Sequence, residues 1–209
     1  MNRRIAAVLL SIMAVAGVSA LLAAKGPPQK SDPYGYFEYR RNALRGNFPD
    51  VVLLTQDNQQ KRFYYDLIKD KVVVIQFMFA NCADLCPRTT PNLATVQREL
   101  SRRAPGKVMF LSITVDPKRD TPQALKHYAQ QFGIRGDWYF LTGKPDDVDL
   151  VRRKLGVYDP EDQKVEHMNV LTIGNEAQGK WLAMEALAKP DDITQTVLRV
   201  LGKPKAEQR

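Results

Sequence analysis

The sequence predicts an α/β domain, and three observations carry that prediction. Two apolar stretches of strand length, residues 72–79 and 108–115, each run into a proline-started segment with helical apolar spacing. A third alternation begins at Trp138 and continues into Pro145. The chain then closes with two short strand-like stretches around a turn at 174–179 and a last amphipathic segment. Strands alternating with helices are what a sheet covered by crossover connections requires.

The amino terminus stands apart from that pattern. Arg3 and Arg4 precede an uncharged apolar run over residues 5–24, long enough to cross a bilayer and long for the apolar part of a signal peptide. Val18-Ser19-Ala20 also fits a cleavage site, but the run continues past it, so residues 1–25 are expected to be a retained anchor. With Arg3 and Arg4 on the cytoplasmic side, everything after Lys25 is exported. The expected location is the bacterial inner membrane, with a soluble domain in the periplasm. Residues 26–46, opening on Gly26, Pro27 and Pro28, read as a linker. The folded domain is expected over 47–203, and 204–209 form a tail.

Within the domain, residues 51–55 and 61–65 read as two short strands around Asp57-Asn58. The run 72–79 is rich in β-branched and aromatic residues and broken only by Gln76, the mark of a buried strand. Leu93, Val96 and Leu100 then recur at helical spacing. Pro87 is expected at the first helical position, which leaves Cys86 extended, because a residue before proline is pushed out of the α region. Residues 108–115 form the next strand. Thr121 and Pro122 start a helix whose inner stripe is Leu125, Tyr128, Ala129 and Phe132.

Residues 138–141 are a short strand, and Pro145 opens a helix buried through Val148, Val151 and Leu155. After a polar loop over 158–166, residues 167–173 pair with 181–184. A final helix, capped near Asp191 or Asp192, buries Ile193, Val197, Leu198 and Leu201. This order fits a thioredoxin-like fold with an added amino-terminal β-hairpin, preceded by one transmembrane helix.

Of 209 residues, 31 are Lys or Arg and 23 Asp or Glu, a formal net charge of +8. Such a balance favours acidic partners or anionic surfaces. No basic-aromatic module accompanies it, so nucleic acid is not an expected partner.

Both cysteines, Cys82 and Cys86, fall between the 72–79 strand and the helix after it. The start of a helix favours negative charge, which is expected to lower a thiol's pKa and yield the thiolate that binds metals and attacks disulfides. One structural disulfide, or two inert buried thiols, are the plain alternatives. In an oxidising compartment two cysteines pair unless kept reduced or metallated. Of the two histidines, His127 lies on the outer side of its helix and reads as solvated, whereas His167 opens a strand. A lone histidine there is more often structural than ligating. Two thiolates with one imidazole would suit Cu(I) or zinc. Asp84, Asp116 and Asp120 read as local structure at turns and helix starts, and Met168 is expected to point away from the side His167 faces.

Three motifs in order carry a resemblance. The first is C-x-x-x-C-P after a buried strand, here Cys82, Cys86 and Pro87; the second is Asp116-Pro117-Lys118-Arg119-Asp120-Thr121-Pro122; the third is His167 opening a later strand. Together they resemble the SCO/SenC family, thioredoxin-like copper-handling assembly factors of cytochrome c oxidase. The resemblance implies that Cys82, Cys86 and His167 hold copper, as Cu(I) or Cu(II), for the binuclear copper centre of cytochrome c oxidase subunit II. It also implies the inner membrane, other periplasmic copper chaperones or thiol reductases as partners. Two positions depart from the family's pattern: Ala83 stands where proline is usual, and Glu166 where aspartate is usual. A second function class stays open, in which Cys82 and Cys86 are a redox-active pair, able to form a disulfide, that reduces the oxidase subunit's cysteines. Their spacing is longer than the C-x-x-C of thioredoxins, which leaves space for a metal between the sulfurs.

Overall fold

The computed structural model describes residues 48–157 and 169–202. The expected membrane span, the linker, and the segment holding His167 and Met168 lie outside the described residues. Among the described residues, no helix is long and apolar enough to cross a membrane.

The core is one seven-stranded mixed sheet. In chain order its strands are β1 (Val52–Thr55), β2 (Gln60–Arg62), β3 (Val72–Met78), β4 (Val108–Thr114), β5 (Trp138–Thr142), β6 (Val170–Asn175) and β7 (Lys180–Glu185). Their order across the sheet is β2-β1-β5-β4-β3-β6-β7. β3, β4 and β5 run parallel at the centre, while β1, β6 and β7 add antiparallel pairings outside them. Every position of β3 is buried, as a continuous apolar run demands of a central strand. Its one polar residue is held through its nitrogen: Gln76 Nε2 donates to Ser112 Oγ at 2.7 Å, and Trp138 Nε1 donates to the same oxygen at 2.8 Å. The amino-terminal hairpin is present, turning through Asn58 at φ 58°.

Among the described residues four α-helices cover the sheet: α1 (Cys86–Arg103), α2 (Pro122–Gln131), α3 (Pro145–Lys154) and α4 (Pro190–Leu201). The crossovers β3-α1-β4 and β4-α2-β5 step in one direction, so α1 and α2 share a face. On that face Tyr128 of α2 packs 5.8 Å from Phe140, and Asn175 donates to the Val200 carbonyl of α4 at 3.1 Å. The opposite face carries an aromatic cluster in which Phe48 meets Phe63 and Trp181.

The second expected strand is shorter than predicted. β2 stops at Arg62, and residues Phe63–Ile68 coil into a π-helical turn. Phe63, Leu67 and Ile68 are all buried, and a coil brings all three toward the core where an extended chain would alternate them. The coil is held by Lys69 N–H donating to Tyr64 O at 2.7 Å, five residues back, and by Asp66 accepting from Arg62 N–H at 2.7 Å.

α4 begins at Pro190, so Asp191 and Asp192 lie inside its first turn and are not its caps. There they meet the positive end of the helix. β6 runs from Val170; Asn169 before it is not strand, and the expected first residues, His167 and Met168, lie outside the described residues.

Candidate metal centre

β3 leaves the sheet into a tight turn in which Cys82 N–H donates to Phe79 O at 3.2 Å. Cys86 is not extended, as proline at 87 implied, but is the first residue of α1. Leu85 has φ −71° and ψ −45°, and its carbonyl accepts from Arg88 and Thr89 N–H at 3.0 and 2.8 Å. Those two bonds carry the helix back past the proline, whose missing N–H costs nothing in a first turn. The Cys86 N–H, one of the helix's orphan donors, points at Cys82 Sγ, 3.4 Å away. Cys82 thus caps the helix that Cys86 begins.

Both thiols are free, and their surroundings differ. Cys82 is half-buried, whereas Cys86 is 1% exposed. The expectation that the helix start lowers thiol pKa fails for Cys86, which is pushed up to about 12. Burial is the main cause and the adjoining Cys82 side chain the next, while backbone N–H from Phe79 pulls the other way. Desolvation of a sulfur seated in the core outweighs the helix dipole.

The loop after β4 is bound to this turn. Asp120 is buried, and its Oδ2 accepts from Ala80 N–H at 3.0 Å and from Thr114 Oγ1 at 2.6 Å. Its role exceeds that of a helix-start carboxylate, because it ties the second motif to the residue two places before Cys82. Asp116 closes the loop as an acceptor, its carbonyl taking Arg119 and Asp120 N–H, and its carboxylate lies 3.5 Å from the exposed Arg119. Thr121 Oγ1 caps α2 by accepting from Ala124 N–H at 3.2 Å.

Asp84 is exposed. His127 is exposed on α2, 3.1 Å from Gln131, as the sequence implied. Among the described residues no group of three or more His, Cys, Asp and Glu converges on one point. Cys82 and Cys86 are brought together, and His167 lies outside the described residues. The donor chemistry of the two sulfurs fits a soft ion: adjacent, unbonded, and one open to solvent. The sequence placed Tyr128 on the inner stripe of α2, and the packed chain adds that its hydroxyl meets that of Thr90, one helical turn after Cys86, at 2.9 Å.

The SCO1/SenC family profile matches residues 50–202. An SCO2-like protein of Rickettsia conorii is 30% identical over 151 residues, 72% of this chain and 70% of its own. The solved structure of BsSco, a Sco family cytochrome c oxidase assembly protein in which a disulfide switch was identified, superposes with a TM-score of 0.61 at 24% identity, covering 77% of this chain and 97% of that one. Yeast Sco1 with copper bound gives 0.59 at 24% identity, covering 78% and 100%. At that identity the two structures speak for the fold, a thioredoxin-like α/β sheet. With a profile match over most of its length and the cysteine turn in place, the chain belongs to the SCO1/SenC family.

Proposed function

We propose that this chain binds copper through Cys82, Cys86 and His167 and delivers it to the binuclear copper centre of cytochrome c oxidase subunit II. The observation that carries the reading is the antiparallel register of β3 and β6, which sets Gln76 opposite Leu171. Val170 therefore enters the sheet at the end where β3 runs into the cysteine turn. His167 stands three residues before Val170, a span of at most about 10 Å. Yeast Sco1 with copper bound shares this fold, and a Stutzerimonas stutzeri relative, 29% identical over 109 residues, is named as copper-binding. Two thiolates and an imidazole suit Cu(I) or zinc, and the family likeness favours copper. The half-exposed Cys82 receives or surrenders the ion first, and the buried Cys86 holds it against water.

Copper titration of the full chain under reducing conditions tests this. Wild type is expected to bind stoichiometrically, Cys82→Ser to lose tight binding, and His167→Ala to bind more weakly. Reduced wild-type protein that takes up no copper would sink the copper assignment, and unchanged affinity in His167→Ala would remove that ligand.

The asymmetry of the two thiols favours a second reading, a thiol–disulfide reductase for the oxidase subunit's cysteines. Cys82 would attack and Cys86 resolve, and His167→Ala would leave that exchange intact. For either role the domain would sit in the periplasm, anchored by residues 5–24. Protease added to spheroplasts would then remove the domain without lysis.

A further inference from the structure

At the end of the sheet where β3 enters the cysteine turn, one side chain joins the helix leaving that turn to the strand arriving beside it. Asn92 lies on α1, six residues after Cys86, and is half-buried. Its Nδ2 donates to two carbonyls of the loop between β7 and α4, those of Ala186 and Ala188, each at 2.9 Å. A carboxamide nitrogen carries two N–H groups, so both are used. In the same loop Ala186 N–H donates to the Asn169 carbonyl at 2.8 Å, which carries the β6–β7 ladder past its last pair, Val170 opposite Glu185. Asn169 follows His167 by two residues, a reach of at most about 7 Å.

Nothing local calls for asparagine at this place. Inside a helix it is a poor former, because its side chain competes for nearby backbone groups. Here the side chain reaches instead across 94 and 96 residues of chain. The start of β6 is thereby hydrogen-bonded, through one loop, to the helix that Cys86 begins.

We propose that Asn92 is a positioning residue for the third copper ligand: by gripping the 186–188 loop it holds the start of β6, and the chain that arrives there from His167, against the helix that begins at Cys86. The inference rests on the proposed ligand set, and one arm of its test does not. Contacts that orient a metal ligand from outside change affinity about tenfold or more when removed.

The test uses the full chain, reduced, with Cu(I) affinity read by competition against a chromophoric chelator. Asn92→Ala is expected to bind about tenfold more weakly. Asn92→Leu, which keeps the volume without the donors, should do the same. In the His167→Ala background, where there is no imidazole to place, Asn92→Ala should change affinity by less than about twofold. An equal loss in both backgrounds would mean a general loosening of the cysteine helix and would overturn the inference. Wild-type affinity in Asn92→Ala or in Asn92→Leu would overturn it too. If wild type binds no copper, or His167→Ala alone leaves affinity unchanged, the ligand reading fails and amide exchange of the metal-free protein decides. There, Ala186 N–H exchanging about fivefold faster or more in Asn92→Ala upholds the grip on β6, and an unchanged rate overturns it.

Discussion

The carboxylate of Asp120 accepts the backbone N–H of Ala80 at 3.0 Å, joining two loops forty residues apart at the mouth of the cysteine turn. The same oxygen takes the Thr114 hydroxyl at 2.6 Å. Each motif sits on its own strand-to-helix connection, and this one carboxylate sets their relative positions. The cysteine turn is thereby fixed from outside its own sequence.

Asp120→Ala leaves the buried Thr114 hydroxyl and the half-buried Ala80 N–H without that acceptor. We expect a loss of roughly 2–4 kcal/mol in unfolding free energy, the cost of two unmet hydrogen bonds, and faster amide exchange at Ala80. Chemical denaturation and hydrogen exchange check this; a change below about 0.5 kcal/mol would mean the tie contributes nothing.

Cys86 gives the reduced, metal-free protein a pH dependence. Its thiol rises from 9.0 to about 12 on folding, chiefly through burial. A raised pKa means that the fold favours the protonated thiol. Its contribution is complete below pH 9 and is lost as pH climbs toward the folded value. Denaturation profiles should show wild type losing more stability than Cys86→Ser between about pH 9 and about pH 11. Parallel profiles would refute the burial argument.

Gly174 underlies the aromatic cluster on the far face. A Cβ there would lie 2.2 Å from ring atoms of Trp181, a buried side chain with Phe48 packed 4.9 Å from it. Gly174→Ala is expected to cost at least about 1–3 kcal/mol through overpacking. Adding Trp181→Leu should recover part of that loss, and thermal melts of the single and double variants measure it.

Thr121 caps α2 through one bond to Ala124 N–H. Thr121→Ala should destabilise by about 1 kcal/mol and Thr121→Ser by much less. Thermal melts measure both, and a melting shift with unchanged copper affinity would separate the stability of α2 from the cysteine turn.

What the chain's own letters determined was every feature set by near neighbours. The apolar run of β3, the stripe of Leu93, Val96 and Leu100, and the Thr121-Pro122 helix start are all decided within a few residues. They appear where spacing and capping chemistry place them. So does the position of both cysteines at one strand-to-helix turn. What only the tertiary structure decided depends on groups far away in the chain. Residues 63–65 give up strand geometry because Phe63, Leu67 and Ile68 must all face the core. Cys86 is helical, and its thiol is raised, because it is sealed into that core. Asp120 finds Ala80, and Thr90 finds Tyr128 across 38 residues. Burial and hydrogen-bond partnership are properties of the packed chain; periodicity says which face turns inward, and packing alone says what that face meets.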